Sequence, residues 1–506
     1  MNIKEAKMEI IHTIQAYTMK NEQNGYQIPL VRQRPILLIG PPGIGKTAIM
    51  EQIAEECDIG LVAYTITHHT RQSAIGLPLI EKKVFDGKEY TVTEYTMSEI
   101  IASVYDCMEK TGKREGILFI DEINCVSETL APTMLQFLQC KTFGSHKVPD
   151  GWIIVAAGNP PEYNKSVREF DIVTLDRVKK ITITEDYAVW KEYAYQRGIH
   201  GAILAYLNTK KGNFYRAEQN AVEKSFVTAR GWEDLSQILF AYENLKIEFG
   251  YDLMIQYLQN EEIARDFANF YLLYRKYEED YRIDDILQGS ISGEEQKEKE
   301  QLLENAQIDE RITVVGLMNS YLAQSFMEWK KREEITEALH QMLLTAKPKL
   351  EKGQDLSAFL ESQKNVLQVK LDARLISEKQ AALTHEVLHV LEKYQLRIKQ
   401  ERVPEKEIFQ KIRTYFQETL DTRAQESKSL KIMLESAFRF LKRAVGKEME
   451  MTIFVTDLSK NENILEFIEQ YGCPAYVHYS NAILFQEKEQ KLKEEIQMIH
   501  KTYMET

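Results

Sequence analysis

The chain has 506 residues, too many for one hydrophobic core and enough for about three domains, and its 44% hydrophobic content supplies real interiors. A net charge of −13 argues against a non-specific grip on a polyanion, and no apolar run approaches the ~18 residues of a membrane span. Five cysteines (Cys57, Cys107, Cys125, Cys140 and Cys473) show no C-x-x-C spacing, so they imply no disulfide framework and fit reduced thiols in a cytoplasmic protein.

Residues 1–20 mix Lys4, Glu5, Lys7 and Glu9 with spaced apolar positions, the pattern of an amphipathic helix and not of a signal peptide. The apolar run 35–39 then leads, as a buried strand would, into Gly40-Pro41-Pro42-Gly43-Ile44-Gly45-Lys46-Thr47, and Ala48 continues a helix to 56. Such a strand–turn–helix is a phosphate-binding loop. Its glycines let successive N–H groups turn inward around an anion, and the helix aims its positive dipole end at the same place. Lys46 is expected to reach the β- and γ-phosphate oxygens, and Thr47 to hold Mg²⁺ through its hydroxyl.

Further apolar strands at 59–66, 116–120, 152–157 and 179–184 alternate with helices, which predicts a parallel five-stranded α/β sheet with crossover helices. Residues 79–95 alternate around Asp86-Gly87 and read as a hairpin, and 141–149 make a second turn-like excursion around Gly144. From 185 onward the period becomes helical, at 187–196, 199–207, 231–245 and 251–259, punctuated by Gly198, Gly212 and Gly250. The charged stretch 289–300 reads as a loop or linker. Residues 302–445 read as a helical bundle or long hairpin broken at 348–353 and at Pro404. The end reads as strand 451–458, helix 462–471, strand 475–479 and helix 484–501, a small α/β element. The expected domains are therefore 1–185, 186–288, 289–446 and 447–506.

Four features after the loop have the character a nucleotide-hydrolysing site requires. The strand 117–120 ends in Asp121-Glu122, where one acid can hold the metal's shell and the next can polarise the attacking water; Asp121 is assigned to the first role and Glu122 to the second. Asn159, at the end of the 152–157 strand, can position that water. Arg177 can project from the domain edge just before the last strand. Arg230, at the start of a helix, can reach back to the phosphates.

With these in register, the first ~250 residues resemble the AAA+ ATPases, and in particular the MoxR-like branch. The carriers are the phosphate loop, Asp-Glu-Ile-Asn at 121–124, Ala-Gly-Asn-Pro at 157–160, Thr-x-Arg-x-Trp around Arg230, and the inserted hairpins at 79–95 and 141–149. The resemblance implies ATP and Mg²⁺ as ligands, a helical lid, and assembly into a homo-oligomeric ring, commonly a hexamer. It makes Asn159 the sensor 1 residue, Arg177 the arginine finger and Arg230 the sensor 2 residue. It also suggests a chaperone-like or maturation role on a protein partner, often one bearing a von Willebrand factor A domain. Two departures stand out. Val178 follows the finger arginine where relatives have Phe, and Ala229 precedes the lid arginine where relatives have Pro, so Arg168 is a rival finger.

A second string, His385-Glu386-Val387-Leu388-His389, matches the zinc peptidase pattern, with both histidines on one helix face and Glu386 as general base. Context weighs against it. Positions 392 and 395 are Glu and Gln, candidate third ligands Glu405 and Glu407 lie past Pro404, and Leu383, Val387, Leu391 and Tyr394 make an ordinary core stripe. A nucleic-acid motor, with Lys82, Lys83 and Lys88 on an inserted hairpin, is the other alternative; the acidic balance and the lack of a recognisable DNA-binding module oppose it.

Overall fold

Ile36–Ile39, the apolar run ahead of the glycine-rich turn, forms β1 at the heart of a five-stranded parallel sheet. Its companions are β2 (Gly60–Thr65), β5 (Gly116–Asp121), β8 (Trp152–Gly158) and β9 (Lys179–Thr182), in the order β2-β5-β8-β1-β9. The computed structural model describes residues 1–68, 74, 76–143, 146–163, 167, 170–219, 224–350, 355–372, 376–404, 407–446 and 449–484. The sheet belongs to a unit that includes Met1–Val189 and Thr228–Arg230.

The strands are apolar on both faces because helices cover both. Leu37, Leu118, Ile120, Ile154 and Ala156 meet Ile100, Val104, Met134 and Phe137 of helices Glu99–Thr111 and Ala131–Cys140. The alternate residues Ile36, Leu38, Ile117, Phe119 and Val155 meet Ile10, Ile14, Ile49 and Ile53 of helices Ile3–Thr18 and Lys46–Glu56. In register, Ile39 pairs with Gly158 and with Thr182, so the strand ends that carry the loops after β1 and β8 lie side by side. Ligands of open parallel sheets bind at this carboxyl edge.

The expected hairpin is present as β3 (Pro78–Phe85) and β4 (Lys88–Tyr95), closed by Asp86 and Gly87 at φ 53 and 74. Two successive positive φ values make the mirror-type turn whose twist suits a hairpin. A smaller pair joins β6 (Thr142–Phe143) to β7 (His146–Lys147); Gly144 between them lies outside the described residues.

The second unit, Trp190–Val227 and Gly231–Val369 with most of the chain beyond, is largely helical. A short antiparallel pair, β10 (Arg216–Gln219) with β11 (Lys224–Val227), interrupts the helices and was not expected. Three further expectations need correction. Residues 293–305 form a helix, Gly293–Asn305, and not a linker: Ser292 caps it by accepting from the Glu295 N–H, and Glu294 and Glu295 complement its dipole. Its charged residues are good helix formers, and it buries only Leu303. Helix Ile308–Leu350 continues through Pro348, at its last turn. The carbonyl that loses its partner there belongs to Leu344, whose side chain is exposed, so water can serve it.

The terminal α/β element does not form as expected. Met449–Leu458 is a helix that buries Met451, Phe454, Val455 and Leu458, a spacing that packs one helical stripe. That packing overrides the strand preference of a β-branched run. Residues 474–484 are helical as well, with Tyr479 stacked on Phe438 at 5.8 Å, while 485–506 lie outside the described residues. Helix Glu462–Tyr471 is as expected. A buried ion pair, Lys191 Nζ to Asp457 Oδ1 at 2.5 Å, ties the first of these terminal helices to helix Tyr187–Arg197, and the Tyr195 hydroxyl donates to the other carboxylate oxygen at 3.2 Å. No helix among the described residues is long and apolar enough to cross a membrane.

Candidate active site

The glycine-rich turn leaves β1 and enters helix Lys46–Glu56 through Gly45, which caps it at φ 92; Gly43 sits at φ 72. Both conformations favour glycine. At Gly43 a Cβ would also stand 3.2 Å from the Thr228 Cβ and 3.4 Å from the Arg230 Cβ, so the backbone around Arg230 lies directly against the loop.

Lys46 is the centre of the cluster. Its ammonium donates to the Gly40 carbonyl at 2.8 Å, to the Pro41 carbonyl at 2.8 Å and to Asn159 Oδ1 at 2.9 Å, which uses all three of its protons. Burial pushes its pKa down to about 8; Asp121 and Glu122 oppose that shift and the Arg230 guanidinium adds to it. Phosphate oxygens entering the loop would replace these three acceptors, Asn159 Oδ1 among them, and supply the negative charge that the buried cation lacks.

Thr47 Oγ1 donates to Asp121 Oδ2 at 3.0 Å. A hydroxyl and a carboxylate oxygen this close are hard donors suited to neighbouring positions in the octahedral oxygen shell Mg²⁺ demands, so Thr47 and Asp121 fit the ion. Glu122 turns away from Asp121 at φ 56, an uncommon conformation for a non-glycine residue. Its N–H donates to Asp121 Oδ1 at 2.9 Å, and its Oε2 accepts from the Thr67 hydroxyl at 3.1 Å. Adjacent acids thus serve different partners, one beside the lysine-bearing helix and one beside the end of β2.

Asn159 is anchored at both ends: its side chain accepts from Lys46, and its carbonyl accepts from Asn124 Nδ2 at 2.8 Å. Two residues near the acids, Thr67 and Asn124, were not singled out from the sequence. Thr67 could have been found from the sheet order, because β2 lies beside β5 and the residues just past their ends become neighbours. Asn124 stood inside the Asp-Glu-Ile-Asn string with no role attached.

The structure therefore brings Lys46, Thr47, Asp121, Glu122 and Asn159 together with the backbone at Arg230. Arg177 is placed differently. It is exposed, it follows the short helix Ile172–Leu175, and its Nη1 donates to Gln139 Oε1 near the end of helix Ala131–Cys140. Val178, beside it, is buried in the sheet's core. Arg168, the rival finger, lies outside the described residues.

The histidine string lies on helix Glu378–Glu401, where Val387, Leu388, Leu391 and Tyr394 are buried and His385 and His389 are exposed. Glu386 pairs with Lys331 at 3.2 Å and His389 with Glu392 at 3.6 Å. Among the described residues no group of three or more His, Cys, Asp or Glu is arranged to hold a metal. Glu405 lies outside the described residues.

Residues 36–175 match the family model described as ATPase family associated with various cellular activities (AAA). No curated protein gives a significant match to the chain. The matched segment runs from β1 to the end of helix Ile172–Leu175, so it includes the phosphate loop, the acid pair and Asn159. Together with the parallel five-stranded sheet it supports an ATP-hydrolysing protein of the AAA+ kind, which binds nucleotide usually with Mg²⁺.

Proposed function

We propose that this chain is an ATP-driven motor of the MoxR type, that hydrolysis occurs at seams between subunits of a homo-oligomeric ring, commonly a hexamer, and that the ring remodels or activates a protein partner. The observation that carries the reading is the convergence of Lys46, Thr47, Asp121 and Asn159 at one edge of the sheet, with Glu122 next to them.

The proposed roles draw on this geometry and on the resemblance to AAA+ ATPases. The loop from Gly40 to Thr47 cradles the phosphates, and Lys46 exchanges its carbonyl partners and Asn159 Oδ1 for phosphate oxygens. Thr47 and Asp121 hold Mg²⁺, which when bound neutralises charge developing on the β- and γ-phosphates. Glu122 orients and deprotonates the attacking water, Asn159 fixes that water's position, and Arg230 steadies the phosphates from the adjoining helix. Arg177, exposed and engaged away from Lys46, serves the nucleotide of a neighbouring subunit. A guanidinium supplied in this way contributes ~10³ to 10⁵ in turnover in phosphoryl transfer.

By resemblance to MoxR-like proteins, the partner is one bearing a von Willebrand factor A domain, and the helical second unit offers the docking surfaces; this part of the reading rests on analogy of fold. The test is a Mg²⁺-dependent ATPase assay with Glu122→Gln alongside. The reading expects hydrolysis in the parent, none in the variant, nucleotide retained by both, and a protein partner held by the stalled variant. A parent that binds ATP and never hydrolyses it, at any protein concentration or with any partner, would defeat it.

A further inference from the structure

We propose that Asn124 is a positioning residue for hydrolysis, acting through Asn159; the inference rests on the nucleotide-hydrolysing reading of the site. Asn124 is 4% exposed and donates from Nδ2 to the Asn159 carbonyl at 2.8 Å. The Ile123 N–H donates to the Ala157 carbonyl at 2.9 Å, so two consecutive residues of the acid-bearing turn are stitched to the end of β8.

Gly158 makes room for this contact. A Cβ there would stand 2.5 Å from Asn124 Oδ1 and 2.8 Å from its Cγ, so the amide lies flat against a residue with no side chain. Oδ1 itself is buried without a hydrogen-bond partner among the described residues. An apolar side chain of similar volume would fill the space with no acceptor left unpaired, so packing alone does not account for an amide here. What the amide adds is the donor to Asn159.

That donor matters because, among the described residues, the other hydrogen bond to Asn159 is the one its side chain accepts from Lys46. When phosphate draws Lys46 away from Asn159 Oδ1, that oxygen becomes available to a water, while the bond from Asn124 still fixes the Asn159 backbone. Asn124 is also two residues past Glu122, so the same bond keeps the residue that deprotonates the water and the residue that positions it in one register. Its role is thus specific to the step after nucleotide has bound.

The experiment compares turnover and nucleotide affinity in the full-length chain for Asn124→Leu, Asn159→Ala, the double variant and Gly158→Ala, with the parent and Glu122→Gln as references. Asn124→Leu should lower kcat about tenfold or more and leave the ATP dissociation constant within about threefold. Because Asn124 works through Asn159, the double variant should be no slower than Asn159→Ala alone. Gly158→Ala pushes on the same amide from the other side and should reproduce the kcat loss, which keeps the test open if Asn124→Leu folds poorly. Multiplicative losses in the double variant, or affinity falling in step with rate, would overturn the proposal while leaving the ATPase reading intact. A parent without hydrolysis would overturn both.

Discussion

Thr67 offers the sharpest single-residue test of how the acid pair is controlled. Its hydroxyl donates to Glu122 Oε2 at 3.1 Å, so in this state the residue assigned to the attacking water is held toward the end of β2. Thr67→Val removes the donor, keeps the β-branched shape and leaves the Thr47–Asp121 pair untouched. A hydrogen bond to a carboxylate is worth about 1.5–3 kcal/mol when shielded, and exposure to competing water reduces this one to about 1 kcal/mol. Freeing Glu122 from a restraint of about 1 kcal/mol raises the working population about fivefold. Steady-state turnover at saturating ATP should therefore rise about fivefold in Thr67→Val, with nucleotide affinity unchanged because no phosphate-binding group is altered. A fall in kcat would refute the reasoning and make the Thr67 bond part of the working geometry.

Three other outcomes follow from the same structure. Arg177→Ala should bind ATP normally and lose ~10³-fold or more in turnover, while turnover per subunit of the parent rises with protein concentration; a parent fully active at high dilution would contradict the shared site. Burial pushes the Lys141 pKa down to about 8 from 10.5, so the unfolded chain holds this proton more tightly and stability rises as pH climbs from 8 toward 10.5. Lys141→Met should accordingly stabilise the protein below pH 8 by about 3 kcal/mol, less what is lost with the Lys141 Nζ bond to the Leu30 carbonyl, with a gain that shrinks above it, as read by thermal unfolding across pH. Asp457→Asn leaves Lys191 buried without its counter-ion and should cost about 3–5 kcal/mol, whereas Lys191→Met with Asp457→Leu should recover most of that loss.

The phosphate loop and the acid pair were legible because each depends on a few consecutive residues with a demanding local conformation: glycines at φ 72 and 92, and an apolar strand ending in acids. The five strands were legible for a related reason, since a strand buried on both faces reads as an unbroken apolar run bounded by turns. What escaped depends on which distant segments become neighbours. The bonds Thr67–Glu122 and Asn124–Asn159 exist only because β2 pairs with β5 and β5 with β8. The terminal region was misread because Thr452, Ile453, Val455 and Thr456 favour strands locally, while the partners that select the helical stripe lie elsewhere in the chain. Residues 293–305 were misread in the opposite sense: a helix that buries one leucine leaves almost no apolar period to detect.

The central claim is that one subunit supplies the cradle and its neighbour the cation. It is tested most directly by mixing two defective proteins, Lys46→Ala, which lacks the cradle, and Arg177→Ala, which lacks the finger. Each alone should be inactive. Mixed in equal amounts and allowed to exchange subunits, they should recover about a quarter of the parent rate, the share of seams in a random ring that pair an intact cradle with an intact arginine. A mixture as inactive as its components, with subunit exchange demonstrated, would contradict the account.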